Sequence, residues 1–140
     1  MRAAVYFAQV AEAEDELVIL QARLQHYEDL GLIRSSAGSH ISSGSSPVSK
    51  VEEAAVGLVD VECDLMAKIE RFTRLIAQAE QIINQIPQSR YRRLLKLKYL
   101  CRWPDGDIAK DLKYNDSNSV YRAKRWALMQ AQEIINKMGI

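Results

Sequence analysis

Arg122 and Arg125 stand three residues apart, in the same run as Asn118 and Ser119. A guanidinium is a planar fork of donors that fits the two acceptors on a guanine edge, and a carboxamide fits the donor and acceptor of adenine. Asn118, Ser119, Arg122 and Arg125 are therefore candidates for contacts to base edges. Tyr121 and Lys124 beside them suit phosphate oxygens, as do Arg90, Arg92 and Arg93 earlier in the chain.

Such contacts need a helix to present them, and the apolar pattern supplies one. Over residues 117–128, Val120, Ala123 and Ala127 form an inner side that leaves Arg122 and Arg125 outside. Residues 105–114 read as a short preceding helix with Ile108, Ala109 and Leu112 turned inward. Between them, Asn115 is expected to take the left-handed conformation of the turn, and Asp116 or Ser117 to cap the second helix. Counted from Ala109, the turn is one residue longer than usual, which leaves the register open between Ser119 and Val120. Residues 89–100 predict a further helix with Leu94, Leu95, Tyr99 and Tyr91 buried and a cationic side of Arg90, Arg92, Arg93, Lys96 and Lys98. Trp103, read as core, and Pro104 close the corner into the next helix. The three helices form a helix-turn-helix module over residues 88–140.

Charge divides the chain in the same place. Residues 88–140 hold 12 Lys and Arg against 5 Asp and Glu, a net of +7, whereas residues 1–87 hold 7 against 13, a net of −6. A basic module joined to an acidic one suits a nucleic-acid-binding end and an end with another task. No apolar run approaches the roughly 18 residues of a membrane span, and the N-terminus lacks a secretory signal pattern. Cys63 and Cys101 are isolated and read as reduced thiols of a cytoplasmic protein; His26 and His40 have no metal-ligand spacing. Asp105, Asp107 and Asp111 read as solvated acids rather than a metal site, so neither a metal nor a cofactor is expected. No phosphate loop, carboxylate pair or nucleophile constellation points to an enzyme.

The N-terminal part is written in heptads. Tyr6, Val10, Ala13, Leu17, Leu20, Leu24 and Tyr27 alternate spacings of four and three, predicting a first heptad helix over 1–33 with Gly31 near its end as terminator. Residues 34–48 are Ser/Gly-rich and predict a flexible loop. A second long heptad helix over 49–86 opens on a Ser49–Glu52 capping box and stops before Pro87. Its seam is Val51, Ala55, Leu58, Glu62, Leu65, Ile69, Phe72, Ile76, Ala79, Ile83 and Ile86. The expected fold is all-α: a long antiparallel coiled-coil-like hairpin followed by the three-helix module. The second helix is the longer, so part of its seam must meet the C-terminal module or another chain. A homodimer is the favoured assembly, with a monomeric hairpin as the alternative.

The order Leu94, Lys98, Tyr99, Leu100, Trp103, Ile108, Ala109, Leu112, Val120, Ala127 and Leu128 resembles region four of bacterial sigma factors, which binds the promoter −35 element. The layout as a whole looks like the phage-encoded ArpU-like and sigma-region-four-like late transcription regulators. The resemblance spans nearly the full chain, but its specific part is residues 90–130, and Lys113-Tyr114 stand where the family motif prefers Gly. It implies a sequence-specific DNA-binding regulator, encoded by a phage or prophage and acting in the cytoplasm of a bacterial host. Double-stranded DNA would be bound by the C-terminal module, while the N-terminal helices dimerise or contact host RNA polymerase. The alternative is a protein–protein adaptor or inhibitor acting on host RNA polymerase or another host factor without DNA specificity. A DNA-packaging subunit fits less well, since that family usually places its DNA-binding module first.

Overall fold

The computed structural model describes the backbone of residues 1–36 and 47–140 and the side chains of residues 1–31, 53 and 55–140. The described residues form helices joined by short turns, without a strand: α1 (Ala3–Ser36), α2 (Pro47–Asn84), α3 (Ser89–Leu95) running into a π-helical turn (Lys96–Leu100), α4 (Asp105–Leu112) and α5 (Ser117–Met138). None of these helices is long and apolar enough to cross a membrane.

Helix ends differ from the sequence expectation in ways that local energetics explain. α1 continues through Gly31 to Ser36. A glycine inside a helix costs only about 1 kcal/mol relative to alanine, too little to stop it. α2 starts at Pro47, whose missing N–H is harmless in a first turn. The expected capping pair Ser49 and Glu52 lies outside the described side chains, and residues 37–46 of the expected loop lie outside the described backbone. At its other end α2 stops at Asn84, where Gln85 and Ile86 donate to the carbonyls of Ile82 and Ile83 in a tightened last turn. Pro87 disfavours helical geometry in the residue before it, which pulls the end back from 86.

The chain divides into two compact units, Met1–Ala13 with Phe72–Ile140, and Glu14–Arg71. The first is therefore built from more than residues 88–140. Its core joins Ala3, Tyr6, Phe7 and Val10 of α1 to Ala79, Ile82, Ile83 and Ile86 of α2. The same core takes Leu94 and Leu95 from α3, Ile108 and Ala109 from α4, and six residues of α5, including Val120, Ala127 and Ile135. Phe7 stacks on Tyr99 with ring centroids 5.2 Å apart. Burial pushes the phenols of both Tyr6 and Tyr99 above their ordinary pKa, and Asp105 adds to the shift at Tyr99. The Tyr6 hydroxyl donates to Gln78 Oε1 at 2.6 Å. Gln132 of α5 caps the start of α1: its Oε1 accepts from the Ala3 N–H at 2.7 Å, and its Nε2 donates to the Met1 carbonyl at 2.8 Å. Thus α5 serves as the spine of this unit along its whole length.

In the second unit the contacts step in opposite directions along α1 and α2. Glu16 accepts from Lys68 and Arg71, while Tyr27, further along α1, lies against Gly57, further back in α2. A Cβ at Gly57 would sit 2.8 Å from the Tyr27 ring, so any larger residue there would require the ring to shift. In α2 the expected seam keeps Leu58 and Leu65 half-buried but is replaced by the preceding residue at two positions. Val61 is buried, Glu62 is exposed, and Ile69 is exposed beside the half-buried Lys68. A carboxylate in an apolar seam would lose its hydration without a partner. Rotating the helix puts Val61 inside and Lys68 within reach of Glu16, and that removes the penalty.

Candidate functional site

The α4–turn–α5 segment is fixed at four points. α4 starts after Pro104, whose carbonyl accepts from the N–H groups of Asp107 and Ile108, both at 3.1 Å. Pro104 is thus the residue that precedes the helix. Asp105 and Asp107 in the first turn complement the helix dipole, and Asp105 also takes Lys98 Nζ at 2.7 Å. At the far end Lys113, not Asn115, adopts the left-handed conformation, with φ 61° and ψ 38°. The Tyr114 N–H then reaches back to the Ala109 carbonyl at 2.9 Å, the long bond of a Schellman ending. Lys113 occupies the position at which such an ending occurs directly after Leu112, which leaves Asn115 free of that demand.

The last point is the cap of α5. Asp116 accepts from the Ser119 N–H at 2.8 Å and from the Ser119 hydroxyl at 2.9 Å. These bonds, the backbone one foremost, hold its carboxyl below the usual carboxylate range, with Arg122 adding a smaller attraction. The turn register is resolved as well, since Val120 is fully buried and Ser119 is not. Val120, Ala123 and Ala127 face the core as their spacing predicts, so the opposite side of α5 is fixed in the open.

On that outer side Asn118, Arg122 and Arg125 are exposed. Ser119 is half-buried, and its hydroxyl is committed to the cap. Tyr121 is 52 % exposed, with Lys124 Nζ 5.3 Å from its ring centroid. Two residues not singled out in the sequence join this face: Trp126, 59 % exposed, and Met129, 58 % exposed. With Arg122 and Arg125 they line a shallow depression of about 350 Å³. Their positions were available in the sequence, because the period that buries Ala123 and Ala127 turns 126 and 129 outward.

The α3 arginines have other occupations. Arg90 donates to the Leu112 carbonyl at 2.6 Å, with its guanidinium 4.1 Å from the Tyr114 ring centroid. Arg92 donates to the carbonyls of Ile86 and Pro87 at 2.6 and 2.9 Å. Arg93 makes a two-pronged pair with Asp111 at 2.6 and 2.9 Å, which lowers the Asp111 pKa and raises that of Arg93. These arginines, with Ser89, Lys96 and Leu97, line a wider depression of about 490 Å³. The π-helical turn follows, closed by the Cys101 N–H on the Lys96 carbonyl at 2.9 Å. Beyond it Arg102 is left-handed, with φ 58°. Trp103, expected in the core, keeps 39 % of its surface exposed, because this corner carries it to the rim.

Cys63 and Cys101 are exposed thiols, and His26 is an exposed ring beside Tyr27, whereas His40 lies outside the described residues. Among the described residues no group of three or more His, Cys, Asp or Glu could hold a metal ion. The chain matches no protein-family model, no curated protein and no solved structure.

Proposed function

We propose that the chain is a sequence-specific DNA-binding transcriptional regulator of the phage or prophage sigma-region-four-like kind. In this reading α4 and α5 are a helix-turn-helix and α5 is its recognition helix. One observation carries it: Arg122 and Arg125 are exposed on the outer side of α5 and donate to no carbonyl or carboxylate among the described residues, while Arg90, Arg92 and Arg93 each donate to one. Exposed guanidiniums beside Asn118, on a helix held rigidly from behind, suit bidentate contacts to base edges. Tyr121 and Lys124 flank them toward the phosphates, and Lys96 supplies a cation beside the α3 cluster.

The N-terminal helices supply dimerisation or a polymerase contact. Val56, Val59, Cys63 and Met66 are all exposed on α2 at spacings of three, four and three, a second heptad stripe beside the buried one. That stripe also sustains the alternative reading, a protein–protein adaptor on host RNA polymerase without DNA specificity. Enrichment of bound duplexes from a random-sequence pool, beside a pull-down of host polymerase, separates the two. Regulator activity gives a sequence preference and salt-dependent retention. Recovery of polymerase with no salt-dependent retention of any duplex overturns the DNA reading.

A further inference from the structure

We propose that Trp126 and Met129 are specificity residues for thymine, reading its 5-methyl group in the major groove. This rests on the DNA reading of α5 and goes beyond its polar contacts. Asn118, Arg122, Arg125 and Met129 are spaced four, three and four apart, so they share one stripe of the helix, and Trp126 adjoins it. All five are exposed on one helix that is buried on its other side. From Asn118 to Met129 the stripe is roughly 16 Å long, matching about five base pairs of a groove wide enough to admit a helix.

The chemistry of the two side chains picks the group they meet. Neither an indole ring nor a thioether offers bidentate hydrogen bonding, and each presents a broad polarisable surface. The base edges of the major groove offer one apolar feature, the thymine methyl. Charge favours a polyanion as the occupant of this face. From Ser117 to Gln132 the helix carries Arg122, Lys124 and Arg125 and no Asp or Glu. The nearest acid, Asp116, is spent on the cap. The Arg122 and Arg125 side chains that share the depression with Trp126 and Met129 would set the polar register, leaving the two apolar groups to select pyrimidine methyls beside it.

The test uses the full chain and the tightest duplex enriched from the random-sequence pool. Each thymine is replaced singly by deoxyuridine, which removes the methyl and nothing else. For the wild type, affinity should fall about threefold to fivefold at one or two thymines, the effect of leaving one methyl-sized group unburied. Trp126→Ala or Met129→Ala should erase that loss at its own position, while discrimination at the remaining positions persists. Trp126→Phe should restore part of it. Uniform affinity across the deoxyuridine scan overturns the inference and leaves the DNA reading standing. A Trp126→Ala variant that loses polymerase capture while keeping the wild-type scan also overturns it, in favour of a protein partner. Failure to enrich any duplex overturns the DNA reading itself, and is distinguished by occurring before the scan begins.

Discussion

α3 and α5 carry arginines of the same type on the sides their apolar spacing turns outward, yet the two sets end in different states. Those of α3 lie where other segments end. The carbonyls of Ile86 and Pro87 at the end of α2, and of Leu112 at the end of α4, all accept from arginines there. Helix ends leave carbonyls without intrahelical partners, and a guanidinium fork is well suited to take them. Among the described residues Arg122 and Arg125 donate to no main-chain carbonyl, and Arg122 lies in the field of Asp116, which is already taken by the cap. A count of basic residues measures attraction to a polyanion. Only the local supply of acceptors decides which of them are left to meet it.

The largest effect should come from α5. Arg122→Ala and Arg125→Ala should each weaken binding to an enriched duplex by about 1–3 kcal/mol and relax preference at particular base pairs. Melting temperature should hardly move, because neither side chain supports the core. Anisotropy titrations beside thermal melts read both quantities. An early melt with unchanged affinity for either variant would erase the contrast with α3.

Arg92→Ala should do the reverse. Of its two charge-assisted bonds to main-chain carbonyls at the α2–α3 corner one is part-buried and the other exposed, so together they contribute about 1 kcal/mol. Urea unfolding should show a lower midpoint, while the folded fraction keeps its ranking of duplexes. A change in ranking would show that Arg92 reaches bases after all.

The turn that sets α5 in place offers a smaller test. Lys113 pays for a left-handed backbone that glycine adopts without steric cost. Lys113→Gly should raise stability by roughly 0.5–1 kcal/mol, and Lys113→Val should lower it. Asn115→Gly should give no comparable gain, which separates the two candidate turn positions.

The sequence made legible whatever depends on near neighbours. Val120, Ala123 and Ala127 declared the inner side of α5 because helical period is local, and Asp116 declared the cap because its partner is three residues on. Arg90 and Arg93 were legible as cations but not as partners of a carbonyl and a carboxylate, since Leu112 lies 22 residues from Arg90 and Asp111 lies 18 from Arg93. Val61 was passed over for Glu62 because either one completes a heptad between Leu58 and Leu65, and only the facing helix decides between them. Phe7 and Ile82 fall between seam positions and are buried by the elements wrapped around them rather than by a single facing helix. The arrangement of Met1–Ala13 within the same compact unit as α3, α4 and α5 depends on such packing, which no window of the sequence displays.

The smallest effects concern two carboxylates, and their sign can be fixed in advance. The Ser119 N–H and hydroxyl hold Asp116 below the ordinary carboxylate pKa, and Arg93 does the same for Asp111. Each folded-state value is lower than its unfolded counterpart of about 4. The stability they contribute is therefore fully present above that value and is lost as pH falls through the lowered ones. Melting curves taken downward from pH 5 should fall for the wild type. They should fall less steeply for Asp116→Asn, whose carboxamide caps at every pH. Asp111→Asn should also flatten the fall and leave neutral-pH stability nearly unchanged, since an exposed pair contributes little. Its further consequence bears on the contrast between the two helices. Releasing Arg93 converts one internally engaged arginine of α3 into a free cation, so binding should strengthen alike for all duplexes and the salt slope should steepen by about 0.9, one phosphate's worth. A gain confined to particular sequences would place Arg93 among the base readers. No gain would mean that α3 lies away from the duplex, leaving α5 to bind through its own face.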